Sequence, residues 1–170
     1  MWGREWMRGI CLGLTCLACS TPVSAFATGK KASFVYIDKS DREMFVFAGR
    51  EQLLRYRIAL GRVPLGHKQQ EGDKRTPEGR YLLDWKNPNS RYHRSIRVSY
   101  PNAADRQAAR RRGVSPGGDI MIHGQPNRSP LPASQLQTFD WTDGCIALTD
   151  AQMDALWDVI DTPVPILIVP

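Results

Sequence analysis

The chain has 170 residues, 42% of them hydrophobic and 24% charged, with a net charge of +6. The roughly 145 residues left after a leader is removed suffice for one domain with a core and are too few for two. The basic excess suits an anionic partner such as cell wall, membrane surface or nucleic acid, and charge alone does not choose among them.

Arg4 and Arg8 make a positive N-terminal region, Gly9 to Ala18 is an apolar run too short to span a bilayer comfortably, and Pro22-Val23-Ser24-Ala25 offers small residues for cleavage. Residues 1–25 are expected to be a signal peptide cut near Ala25, and residues 30–170 the working domain. An uncleaved anchor and lipidation of Cys19 are the alternatives. Loss of Arg4, Glu5 and Arg8 lowers the net charge from +6 to +5. No later segment has the apolar length of a transmembrane helix.

Ala32 to Asp38 is a β-branched and aromatic run closed by the turn-like Lys39-Ser40-Asp41. Glu43 to Phe47 continues as a second strand, Gly49-Arg50 turns, and Leu53 to Leu60 follows, giving an antiparallel meander. Thr76-Pro77-Glu78-Gly79 is a turn, Arg80 to Trp85 a strand, and Ile96 to Tyr100 another, ended by Pro101-Asn102. Ala103 to Arg112 reads as a short helix stopped by Gly113. Asp119 to Ile122 is a short strand that delivers His123, Pro126 to Pro132 a polar loop, and Ile146 to Leu148 a brief strand. Thr149 and Gln152 form a capping box, after which Met153, Leu156, Trp157 and Ile160 share one helix face. Val164 to Val169 closes the chain as a buried strand.

Three of the four cysteines, Cys11, Cys16 and Cys19, fall in the expected leader, so Cys145 is the one thiol left. A lone thiol in an oxidising compartment is a liability unless it is buried or used for chemistry. A cysteine nucleophile needs partial thiolate, a base, and amide donors for the oxyanion. His123 supplies the base, since its ordinary pKa lies near working pH. Gly124 and Gly144 let the backbone approach closely.

Ile120-Met121-Ile122-His123-Gly124 and Thr142-Asp143-Gly144-Cys145-Ile146-Ala147-Leu148 resemble the signature of the L,D-transpeptidase catalytic domain, often called the YkuD domain. That family's pattern is a His, a gap, then Ser/Thr-His-Gly-Cys; here eighteen residues separate His123 from Thr142. The segments Tyr56 to Gly61, Gly72 to Gly79 and Ser99-Tyr100-Pro101-Asn102 are similar to it as well, so the resemblance runs from Ser33 to Val169.

The resemblance implies a mostly-β fold, a two-sheet β-sandwich with one or two short helices, whose Cys and His sit in a cleft under a mobile flap. It implies a transpeptidase acting on peptidoglycan stem peptides, in the periplasm or cell envelope. Cys145 would attack the bond between residues three and four of a tetrapeptide stem. The acyl group would then pass to an amine on a second stem, to a wall-attached lipoprotein, or to water. His123 would be the acid/base, the Gly124 carbonyl its orienter, and the Gly144 and Cys145 amides the oxyanion hole. Thr142, Asp143 and Arg97 would meet substrate. No cofactor, metal or nucleic acid is implied, and a membrane only through an uncleaved leader.

Two positions depart from the family pattern. Asp143 stands where His is common, and Ala147 where Arg or Asn is common. A carboxylate beside a thiol opposes thiolate formation; alternatively Asp143 pairs with a substrate amine or structures the turn. His67 and His93 with His123 and Cys145 match no zinc-ligand spacing. Arg91, Arg94 and Arg97 read as one basic strand face, Arg106 and Arg110 to Arg112 as a solvated cluster, and Trp141 as packing. The competing functions are a hydrolase with the same nucleophile, an L,D-carboxypeptidase or amidase, and a non-catalytic wall-binding module.

Overall fold

The computed structural model describes residues 29–170, so the expected signal peptide lies outside the described residues. The chain opens with β1 (Phe34–Asp38), β2 (Glu43–Ala48) and β3 (Glu51–Arg57), the antiparallel meander read from the sequence. Strand alternation divides their side chains. Val35, Ile37, Met44 and Val46 are fully buried, while Phe34 and Phe47 (6.4 Å between ring centroids) and Tyr36 and Phe45 (6.0 Å) pair across the opposite face.

After a 21-residue connection, 58–78, come β4 (Gly79–Asn87), β5 (Ser95–Val98), α1 (Ala103–Arg112) and β6 (Met121–His123). The chain ends with α2 (Ala133–Leu136), β7 (Ile146–Ala147), α3 (Asp150–Val159) and β8 (Val164–Val169). β8 runs parallel to β1 and antiparallel to β4, which joins the meander to the second half of the chain. The strand order is β3-β2-β1-β8-β4-β5-β6-β7.

The mostly-β class with short helices is as the sequence implied. Its two layers, however, belong to one eight-stranded sheet rather than to two separate ones. Strand twist and irregular registers at Val46/Phe47 and Leu83/Trp85 curl the sheet. Its two edges then meet: Ala59 and Ala147 exchange backbone hydrogen bonds of 3.0 and 2.8 Å, and Gly61 bridges Thr142.

Helix α1 starts at an Asn102–Asp105 capping box and stops at left-handed Gly113. Helix α3 carries the expected Thr149–Gln152 box and buries Met153 and Leu156, with the extended C-cap residue Ile160 after them, in the same core as Ile96, Ile122 and Ile146. Among the described residues the single turn α2 makes a third helix where one or two were expected. It begins at Pro132 without a side-chain cap, so nothing in its sequence announces it. Among the described residues no helix is long and apolar enough to cross a membrane.

Candidate active site

β6 and β7 pair in parallel, with Ile122 opposite Ile146, both fully buried in the core. Alternation therefore turns Met121, His123 and Cys145, which immediately precedes β7, to the other face of the sheet. There His123 and Cys145 line one cavity of about 350 Å³, together with Tyr92, Asp119 and residues of the 87–91 turn. The half-buried Cys145 thiol points its hydrogen at the Asp119 carbonyl, 3.6 Å away.

His123 is only 4% exposed, and its Nδ1 lies 2.7 Å from the Gly124 carbonyl oxygen. A carbonyl accepts and cannot donate, so Nδ1 carries the hydrogen and Nε2 is left as the acceptor. The ring packs against Tyr92 at 4.6 Å and meets Trp141 edge-on at 5.6 Å. Burial pushes its pKa down to about 4, against the pull of the Gly124 bond. Burial likewise pushes the Cys145 thiol up. The Met121 amide and Lys68 work against that rise, and the Asp143 and Asp119 charges reinforce it. Both groups are therefore neutral at neutral pH, an imidazole and a thiol rather than an ion pair.

Next to His123 and Cys145, only glycine fits at positions 124 and 144. A Cβ on Gly124 would sit 2.6 Å from Asp150 Oδ1 and 2.9 Å from His93 Cβ. Gly144 has φ +127°, and a Cβ there would lie 2.7 Å from the Arg75 carbonyl of the 58–78 connection. That connection is pinned by two buried lysines. Lys39 Nζ donates to the Gly66 and Thr76 carbonyls and to Glu78 at 2.8, 3.1 and 2.7 Å, and Lys68 pairs with Asp73 at 2.8 Å.

Four expectations from the sequence meet a different arrangement. The Gly144 N–H, expected to face an oxyanion, donates to Thr142 Oγ1 at 3.1 Å. Thr142, expected at the substrate, is buried and spends its own hydroxyl proton on the Cys145 carbonyl at 2.7 Å, so it shapes the turn. The Cys145 N–H has no partner among the described residues. Asp143 is exposed and paired with Arg62, outside the lining of the Cys145 cavity. Arg97 is bound by Asp84 at 2.8 and 3.2 Å and is also absent from that lining.

The single basic face of Arg91, Arg94 and Arg97 divides as well, because β5 begins only at Ser95. Arg94 turns to Asp154 on α3 at 3.1 Å, and Arg91 alone of the three reaches the cavity. His67 Nε2 lies 3.1 Å from the Asp105 carboxylate and His93 shares a hydrogen bond with Asp154 at 2.7 Å; neither lines the cavity. Trp141 packs as expected, though against His123 itself.

Sequence reasoning missed Tyr92, Asp119, Arg62 and Asp150. Asp150 accepts the Gln125 amide at 2.7 Å and so ties the residues after His123 to the start of α3. Asp150 stands inside the Thr149–Gln152 capping box, which announces a helix start and not a site, and the other three stand in no motif. Arg62 and Asp143 are 81 residues apart, and only the closure of the sheet brings them together.

A model of the L,D-transpeptidase catalytic domain matches residues 32–168. The chain is 32% identical over 150 residues to Escherichia coli YafK, whose name assigns it provisionally to the L,D-transpeptidases; the match covers 83% of this chain and 53% of that protein. Among solved structures it is similar to Pgp2 of Campylobacter jejuni, described as a helical cell shape determining protein. The identity is 29%, the TM-score 0.62, and the coverage 82% of this chain and 48% of that one. An L,D-transpeptidase from Mycobacterium smegmatis shares the fold, at 14% identity and a TM-score of 0.54 over 82% of this chain and 59% of that one. The chain thus spans about half the length of the relatives it matches.

Proposed function

The chain belongs to the L,D-transpeptidase catalytic domain family, and from that premise we propose that it is a cysteine acyltransferase of the cell envelope acting on peptidoglycan stem peptides. Cys145 is the nucleophile and His123 the acid/base. The observation that carries this reading is the His123 tautomer: Nδ1–H is held by the Gly124 carbonyl, so Nε2 is free to take a proton in the cavity that Cys145 shares.

Because thiol and imidazole both rest neutral, proton transfer accompanies attack. The Cys145 proton moves to His123 Nε2 as the sulfur bonds to the carbonyl carbon at the L-centre of the scissile bond. The oxyanion takes the Cys145 N–H, the amide that no other group among the described residues occupies. Collapse breaks the C–N bond, the departing D-centre amine takes the proton from Nε2, and a thioester remains. An acceptor amine then adds to the thioester and gives a proton to Nε2, and the thiolate leaves and recovers that proton. The Gly124 carbonyl steadies the imidazolium formed in each half-reaction, the orienting part that a carboxylate plays in other triads.

The test is mass spectrometry of purified protein with disaccharide tetrapeptides. We expect an acyl adduct on Cys145, crosslinked dimers as product, and neither with Cys145→Ala. Tripeptide alone would assign the chain to hydrolysis. Wild-type turnover by Cys145→Ala would overturn the reading altogether.

A further inference from the structure

A second cavity, of about 460 Å³, adjoins that of Cys145 at Tyr92. Arg91, Tyr92, Asn127 and Arg128 line it, and Arg91 and Tyr92 also line the cavity of Cys145, so the two share a wall. That wall is stitched in place. The Asn127 amide donates to the Arg91 carbonyl at 3.1 Å, its side-chain oxygen accepts the His93 amide at 2.7 Å, and its side-chain nitrogen donates to the Ser90 carbonyl at 3.1 Å. The Gly124 amide adds bonds to the Tyr92 and Arg94 carbonyls at 3.1 and 3.2 Å. The residues flanking His123 and those flanking Arg91 thus form one frame.

The charge on that frame is uncompensated. Arg94 and Arg97, close along the chain, are each neutralised by a carboxylate. Neither Arg91 nor Arg128 is in an ion pair among the described residues, and both stand at the same cavity. Both line the pocket that adjoins the cavity of the thiol. Among the described residues Arg91 is moreover the one arginine or lysine in the lining of the Cys145 cavity. Two guanidiniums on one pocket repel each other, and an anion between them relieves both. Their planar forks match a carboxylate's two oxygens.

We propose that Arg91 and Arg128 form a carboxylate subsite, which holds a free carboxylate of the peptide whose scissile carbonyl lies at Cys145. The proposal rests on the reading of the site as a peptide acyltransferase and adds what that reading lacks, a charge-specific anchor one residue from the aromatic contact of His123.

The test is calorimetric binding to the full chain carrying Cys145→Ala, which reads affinity without turnover. The ligands are a tetrapeptide stem with free internal carboxylates and the same peptide with those carboxylates amidated. Amidation should weaken binding roughly tenfold, the loss of one charge-assisted contact. In the Arg91→Gln/Arg128→Gln background that difference should vanish, and Lys at both positions should restore part of it. In the protein with Cys145 intact, the double variant should raise KM while leaving the reaction of Cys145 with iodoacetamide unchanged. Equal loss for both peptides in the double variant, or no loss for either, overturns the subsite. Competition by inorganic phosphate at the peptide's own concentration, with no dependence on amidation, overturns it in favour of a phosphate site. Carboxylate-dependent binding without any thioester in the Cys145 protein would leave the subsite standing and remove the acyltransferase reading instead.

Discussion

Strands β5, β6 and β7 carry two molecules' worth of chemistry on one ladder. On one face Ile96, Ile122 and Ile146 are wholly shielded from solvent and pack with α3. On the other, Ser95, His123 and Cys145 line a cavity open to ligand. Neighbours in sequence thus have unrelated tasks, separated only by the two-residue period of the strand. The difference lies in what each face can give up. The core face tolerates no change of volume but has no protons to move. The site face is held by a few directed bonds, Gly124 to the His123 ring and Asp150 to the Gln125 amide. The rigidity of those bonds is inherited from the core behind them.

Two truncations one residue apart separate the faces. His123→Ala should cut acylation of Cys145 by about 10²–10⁴-fold, the usual loss of a positioned acid/base, while the protein still melts cooperatively. Ile122→Ala should do the reverse, lowering stability by about 2–5 kcal/mol in urea unfolding while acylation per folded molecule stays within a few-fold. Stopped acylation assays and denaturation curves on both variants check the pair. An Ile122→Ala protein of full stability would mean that Ile122 does not carry the packed face of the sheet as described.

This two-sidedness was half legible in the chain. The alternation in Phe34 to Asp38 and Glu43 to Phe47 marks the strands, and Asn102, Gly113, Thr149 and Gln152 mark helix ends, because these signals act within a few residues. The His-Gly and Asp-Gly-Cys segments drew attention to His123 and Cys145, which line one cavity. Pairings between distant segments left no local trace. The β1–β8 ladder, the Ala59–Ala147 closure and the Arg62–Asp143 contact are set by how far the sheet curls. The Thr142 hydroxyl has several stereochemically sound partners in a turn, and the sequence does not tell a substrate from the Cys145 carbonyl.

Burial makes the site face sensitive to acid in a way the core face is not. His123 has a pKa near 4 in the fold against an ordinary value of 6.5. Between those values the unfolded chain binds the proton and the folded one does not, so stability rises with pH across the window. Conversely, stability falls as pH drops from 6.5 and the loss is complete below about 4, where both states are protonated, amounting to on the order of 3 kcal/mol. His123→Gln removes the titrating group. Urea midpoints from pH 7 to pH 4 should therefore decline less steeply in the variant than in the parent; parallel declines would show that His123 is protonated as readily inside the fold as outside.

The smallest effect is also the one that asks whether the site face can be tuned from solvent. Asp143 is 74% exposed and Arg62 50%, so their ion pair contributes at most about 1 kcal/mol to stability, and less in salt. Its influence on the thiol is another matter, since the Asp143 charge helps to raise the Cys145 pKa. Asp143→Asn should lower the pH at which iodoacetamide reacts half-maximally with Cys145. Arg62→Gln, which strips the carboxylate of its partner, should raise it. The opposite signs matter more than the sizes, because damage to the turn would move both variants the same way. Raising the ionic strength should draw the two profiles together, as befits charges that act through water rather than through the packed side of the sheet.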